Sequence, residues 1–259
     1  MILQANHVSF QYTEKSPLIL DDVSLRIAEG ERVGLRGKSG IGKTTLCRLL
    51  AGYERPTRGE VLLAETGEDR IAVPMAENCP REARRVADGA APHSDSAQFM
   101  QHRMSGEQSA WTASRNILDI RGCCPVQMIW QHPEQAVNPR RRMRTVLKEG
   151  GEIPQRIIEG LGIEEDWQNR FPAELSGGEL QRFCIARALG ENTRFLLCDE
   201  ISTMLDLITQ SQIWNFLIEE TSRRGIGLLM VSHSNALMER VCTRIVDVVT
   251  DKTGRCTLR

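Results

Sequence analysis

No stretch of this 259-residue chain approaches the ~18 to 20 consecutive apolar residues needed to cross a bilayer, which excludes a membrane span of its own. Gln4, Asn6 and His7 interrupt the first residues, so a secretory signal pattern is absent there. A surplus of positive charge is missing too. With a net charge of −1, the chain lacks the basic surface of a general nucleic-acid binder, and its one concentrated basic run is Arg140, Arg141, Arg142 and Arg144. The eight cysteines show no close-spaced Cys/His ligand pattern. Cys184 and Cys198 lie inside apolar segments, where a thiol acts as a small buried apolar group rather than half of a disulfide. Nothing marks a second independent domain. A hydrophobic content of 41% over this length suffices for one large α/β domain, residues 1–259.

What is present begins with Gly37-Lys38-Ser39-Gly40-Ile41-Gly42-Lys43-Thr44, which fits G-x-x-x-x-G-K-[ST]. The glycines let backbone N–H groups curl around a phosphate without Cβ atoms in the way. Lys43 then reaches the terminal phosphates and Thr44 ligates magnesium. The flanks agree: residues 31–36 read as a short strand, and residues 45–52 as a helix closed by Gly52. A helix N-terminus beneath a phosphate adds free N–H donors and a favourable dipole.

Two further apolar runs end in chemistry-bearing residues. Residues 193–198 suit a parallel strand buried on both faces and end in Asp199 and Glu200; residues 226–231 end in Ser232 and His233. In open α/β sheets, ligands sit at the carboxyl ends of strands, which turns these groups toward the phosphates. Asp199 is placed to hold magnesium through its water shell, Glu200 to polarise the attacking water, and His233 to bond the γ-phosphate. Gln131 follows the strand-like run 126–130, where an amide ligates magnesium or orients water. Taken one at a time, two acids at a strand end read as a solvated turn, and the histidine and glutamine as incidental. Ser176-Gly177-Gly178 opens the helical run 179–189 ahead of Gly190 and presents a second helix N-terminus suited to an anion.

With these residues in this order, the chain from about residue 2 to 250 resembles the ATP-binding subunits of ABC transporters. The resemblance implies a P-loop NTPase of ABC type, α/β, with a mixed β core, a flanking antiparallel sheet and a helical signature region over 132–190. It makes Tyr12 the aromatic that stacks on adenine, Gly37 to Thr45 the Walker A loop, including Ser39, Gly40, Gly42, Lys43, Thr44 and Thr45, and Gln131 the Q-loop residue. Leu175 to Glu179 becomes the signature motif, Asp199 and Glu200 the Walker B acid and catalytic base, Asp206 the D-loop residue and His233 the switch histidine. It implies ATP and magnesium as cofactors, with ATP sandwiched head-to-tail between the Walker loop of one subunit and Ser176, Gly177 and Gly178 of another. The partners it implies are transmembrane permease subunits, a second ATPase subunit and, indirectly, an external substrate-binding protein, at the cytoplasmic face of the plasma membrane. Pro133 after the Q-loop and the later Asn138-Pro139 look like the nickel and peptide importer branch.

The chain departs from that family at three places. Ile201 to Met204 stands where most members have a Pro-Thr-Ser-Ala run, as in some nickel-importer ATPases that work as one of two unlike subunits. Glu179 replaces a commoner glutamine. Residues 66–124 are longer than the family's equivalent, rich in small and polar residues, with Phe99 and Trp111 as the only aromatics, and read as a mobile surface insertion. Cys79, His93, His102, Cys123 and Cys124 fall there without a ligand spacing. The basic run at 140–144 reads as a dock for membrane subunits, as a solvated face, or as a weak attraction to anionic lipid. Two other functions stay open: a soluble ABC ATPase acting on nucleic acid or ribosomes, and a weakly hydrolysing regulatory partner. Residues 244–250 and 255–258 read as a closing hairpin around 251–254.

Overall fold

The computed structural model describes residues 1–64, 70–72, 124–201, 205–250 and 256–258, with residues 70–72 described by their backbone alone. The reading of 66–124 as an insertion, its Cys79, His93, His102 and Cys123, residues 202–204, and the turn at 251–254 therefore lie outside the described residues, apart from residues 70–72 and the half-buried Cys124.

One sheet runs through the described residues in the order β5-β4-β1-β2-β10-β9-β3-β8-β7-β6. Its first part is antiparallel: β1 (Ile2–Phe10) pairs with β2 (Leu20–Ala28) and with β4 (Arg58–Ala64), and β4 with β5 (Arg70–Ala72). In β2, Val23, Leu25 and Ile27 are buried while Ser24 and Arg26 between them are exposed, the alternation of a sheet with one wet face. The other part is parallel: β3 (Arg32–Arg36) between β8 (Gly227–Val231) and β9 (Arg244–Thr250), then β7 (Phe195–Asp199) and β6 (Val126–Ile129). β10 (Cys256–Leu258) returns antiparallel to β9 and touches β2 through Cys256 and Leu20, which joins the two parts.

β7 up to Cys198, and β8, carry no polar side chain because both faces are covered. Phe195 and Leu197 enter a core shared with Leu46 and Cys47 of helix α1 (Lys43–Leu50), whereas Leu196 and Cys198 enter a second core with Phe183, Ile213 and Leu217. That second core holds the helical region α2 (Met143–Lys148), α3 (Gln155–Gly160) and α4 (Gly177–Ala188) against α5 (Leu207–Arg224). Helix α4 starts at Gly177, two residues before the start read from the sequence, because Ser176 caps it. Burial pushes the Cys184 thiol up to about 11 and the Cys198 thiol higher still, so both behave as inert apolar groups.

Helix α5 is capped by Asp206 and stops at Gly225, whose φ of 66° is the left-handed conformation glycine supplies. It leads into β8, and α6 (Asn235–Val241) leads into β9. Much of the basic run at 140–144 is spent inside the chain. Arg142 lies 4.7 Å over the Phe171 ring, Arg144 bonds Asn169 at 3.4 Å and Arg141 pairs with Glu149 at 3.4 Å. No helix among the described residues is long and apolar enough to cross a membrane.

Candidate functional site

Strand β3 delivers the chain to the phosphate loop, and Arg36 fixes that exit by a two-pronged contact with Asp247 of β9, at 2.5 and 2.8 Å. The loop then folds tightly. A Cβ at Gly37 would sit 2.7 Å from the carbonyl oxygen of Val248, and Gly42 takes φ 106° at the N-cap of α1. Lys43 is 5% exposed, and its Nζ donates to the carbonyls of Gly37 at 2.8 Å and Lys38 at 2.9 Å. Ser39 and Gly40 form the exposed apex, and Thr44 and Thr45 follow Lys43 on the first turn of α1.

Asp199 ends β7 almost fully buried and hydrogen-bonds to the side chain of Thr44. Burial raises its pKa, the Thr44 bond opposes that, the neighbouring Glu200 charge adds to it, and Arg48 and Lys43 work against it; the balance lies above the usual carboxylate value. Glu200 takes φ 51°, a left-handed backbone unusual for a long side chain, and its N–H donates to Val231 O at 3.1 Å. Its two oxygens have separate partners: Oε2 accepts from Gln131 Nε2 at 3.1 Å, and Oε1 lies 2.8 Å from His233 Nε2. Adjacent parallel strands explain the arrangement. β6, β7 and β8 lie side by side, so the residues just past their carboxyl ends meet at one edge.

Tyr12 follows β1, 52% exposed, edge-on to Phe10 at 5.0 Å and with its hydroxyl 3.5 Å from Thr45 Oγ1. An open aromatic face thus stands beside the phosphate loop. The signature segment is exposed at the start of α4. Ser176 Oγ accepts from Glu179 N at 3.3 Å, and Glu179 Oε2 accepts from Ser176 N at 2.7 Å, a reciprocal cap that gives Glu179 its role. A Cβ on Gly177 would meet nothing within 4 Å; one on Gly178 would lie 3.3 Å from Leu205 Cδ2. Asp206 accepts from the backbone N–H groups of Ile208 and Thr209, both at 3.0 Å, and the Thr209 side chain and those N–H groups hold its pKa low. Leu207 and Ile208 beside it are 83% and 72% exposed.

Three residues join the site unannounced by the motifs. The Arg48 guanidinium lies 5.1 Å from the centre of the Trp130 ring, which Tyr53 meets edge-on at 5.1 Å. Trp130 immediately precedes Gln131, and Arg48 lies one helical turn beyond Thr44. That i, i+4 spacing on α1 was the available signal.

A phosphate loop opening a helix, with acids, an amide and a histidine at neighbouring strand ends, defines the class: a P-loop ATPase built as a cassette. The chain belongs to the ABC transporter family, whose profile matches residues 20–203. The chain is 30% identical over 241 residues to the nickel import ATP-binding protein NikE of Rhodospirillum rubrum, across 88% of this chain and 71% of that protein. It is 28% identical over 256 residues to NikE of Escherichia coli strain K12, covering 93% and 78%. Among solved structures, a dimeric ATP-binding cassette in a post-hydrolysis state with ADP and phosphate superposes with a TM-score of 0.65 at 21% identity, over 95% of this chain and 93% of that one. An ATP-binding subunit of an ABC transporter gives 0.66 at 21% identity, over 99% and 88%.

Proposed function

We propose that residues 1–259 form one nucleotide-binding cassette that binds and hydrolyses ATP to drive an importer, with nickel the cargo the relatives' names favour and peptide the alternative. The observation that carries it is the placement of Glu200 between Gln131 and His233, next to the Thr44–Asp199 bond. Lys43 spends two of its three N–H bonds on the loop and offers the third to the β- and γ-phosphates. The oxygens of Thr44, Asp199 and Gln131 are hard donors that suit magnesium, with Asp199 acting through the water shell. Bound there with the nucleotide, the metal neutralises phosphate charge and acts as a Lewis acid. Glu200 accepts a proton from the attacking water, His233 steadies the γ-phosphate, and Tyr12 stacks on the adenine.

Ser176, Gly177 and Gly178 serve the nucleotide held by a second ATPase subunit, in a head-to-tail pair. The exposure of Ser176 and Gly177 and the bare apolar pair Leu207 and Ile208 support this. The pair sits at the cytoplasmic face of the membrane on permease subunits, which receive cargo from an external binding protein; no nucleic acid is involved. Membranes extracted in mild detergent should yield the chain together with a permease and a second ATPase, and cells lacking it should fail to accumulate nickel while peptide uptake continues. Recovery of the chain with ribosomes or DNA and no permease would refute the reading.

A further inference from the structure

The C-terminal end of the signature helix α4 is anchored by an ion cluster that none of the nucleotide-site motifs contains. The Arg224 guanidinium, on α5, donates to four carbonyl oxygens just beyond α4: Leu189 at 2.7 Å, Gly190 at 2.6 Å, Glu191 at 3.0 Å and Thr193 at 3.3 Å. Thr193 Oγ1 adds a bond of 2.8 Å to Ala188 O. Ala188 O is one of the carbonyls a helix end leaves without an intrahelical partner, the four that Arg224 meets lie at the cap and in the segment that follows, and a cation is the charge that end prefers. Glu220 aims the guanidinium: it is 1% exposed, lies 3.6 Å from Arg224, pairs with Arg223 at 3.2 Å, and also binds Arg156 of α3. The same end of α4 is pressed from the other side. A Cβ on Gly190 would fall 2.1 Å from Gly150 O, one on Gly150 2.2 Å from Arg187 O, and Arg187 pairs with Glu149 at 3.0 Å.

The first turn at the opposite end of α4 is tied by its own capping box and exposed at Ser176 and Gly177, and packing begins behind it with Gly178 beside Leu205 and with the buried Leu180 and Gln181. A change of tilt at the clamped C-terminal end displaces the exposed first turn the most. Twelve residues at 1.5 Å each make α4 about 18 Å long, so a tilt of about 10° at the anchored end moves Ser176 by about 3 Å, the whole length of a hydrogen bond.

We propose that Arg224 and Glu220 are positioning residues for the composite nucleotide site: they fix the angle of α4 and thereby present Ser176, Gly177 and Gly178 to the nucleotide of the partner subunit. This rests on the head-to-tail reading above. The cluster acts in trans, since residues 37–44 of its own chain lie at the start of a different helix. Arg224→Lys keeps the charge but cannot bridge four carbonyls, and Glu220→Gln leaves the guanidinium in place without its aim.

The test places each substitution in the full-length chain carrying Glu200→Gln, which retains nucleotide. Two quantities are measured: ATP affinity of the chain at low concentration, which reads its own phosphate loop, and ATP-driven association with the second ATPase subunit or a second copy, by size exclusion with light scattering. Expected is unchanged ATP affinity, within about twofold, with association weakened tenfold or more by Arg224→Lys and less by Glu220→Gln. Equal losses in both measurements would show a general support of the fold and overturn the proposal, as would unimpaired association. If the chain with Arg224 and Glu220 intact fails to associate with ATP, the head-to-tail reading falls and this inference falls with it.

Discussion

Replacing Glu200 by glutamine should separate nucleotide binding from hydrolysis, and the structure says by how much and in which direction. The amide has nearly the shape of the carboxylate, so the left-handed backbone and the bond from the residue 200 N–H to Val231 O persist. Its carbonyl oxygen keeps one acceptor bond, while its NH2 meets either Gln131 or His233, so one of the 3.1 and 2.8 Å contacts is lost or reversed. The proton-accepting function disappears, which for a general base costs about 10² to 10⁴ in rate, or roughly 3 to 5 kcal/mol of barrier. Binding should move the other way. Glu200 is one of the charges that push the Asp199 carboxyl up, so removing it leaves Asp199 more readily ionised. ATP affinity in magnesium should therefore hold or tighten slightly while single-turnover phosphate release slows at least a hundredfold. Release at the unsubstituted rate would show that another group activates the water; a tenfold loss of ATP affinity would show that Glu200 is a ligand rather than a base.

Lys43→Ala should abolish ATP binding or turnover, read by nucleotide titration and phosphate release, because the ammonium that both ties the loop carbonyls and meets the phosphates is gone. Tyr12→Ala should raise the KM for ATP by about five- to a hundredfold with little change in kcat, the scale of one lost base stack of roughly 1 to 3 kcal/mol; an unchanged KM would remove Tyr12 from the base site. Acid stability should depend on Glu220. Burial pushes its carboxyl up, but the hydrogen bonds from Arg156 and Arg223 outweigh that and leave its folded pKa low. A lowered folded pKa contributes stability that is full above the ordinary carboxylate value, about 4.3, and is lost as pH falls through the folded one. Chemical denaturation from pH 6 downward should show this loss, and Glu220→Gln should start less stable at pH 6 and flatten the curve over that window.

Much of the fold was legible because the signals were local. Residues 195–198 and 226–231 contain no polar interruption, which suits strands covered on both faces, and β7 and β8 occupy them, β7 starting two residues later than the run read from the sequence, after Thr193 and Arg194. The loop at 37–44 announces itself through glycines whose backbone angles and close contacts exclude side chains. A helix opening at Ser176-Gly177-Gly178 was legible, whereas the reciprocal Ser176 and Glu179 bonds, which give the glutamate its purpose, were not read from the spacing. What stayed hidden depends on contacts between distant segments. Glu200 and His233 meet because β7 and β8 are neighbours, and neither run states that. Arg224 reads as one more basic residue at a helix end, and only the fold shows that the carbonyls it meets lie just past the end of another helix.

The left-handed backbone at Glu200 also constrains how this position can change over time. Aspartate would sit more comfortably at φ 51° but is one methylene too short to keep both the Gln131 and His233 contacts, and β-branched residues are barred by the backbone itself. Asparagine and glycine suit that conformation best, and neither can act as a base. With Glu200 as the proposed base, drift at residue 200 would be biased toward silence: a single substitution that relaxes the chain would remove hydrolysis and leave the phosphate loop intact. On the proposed roles, an ATP-holding, non-hydrolysing subunit would lie one backbone-relieving mutation away, a short route by which a pair of equal ATPases would become an unequal one.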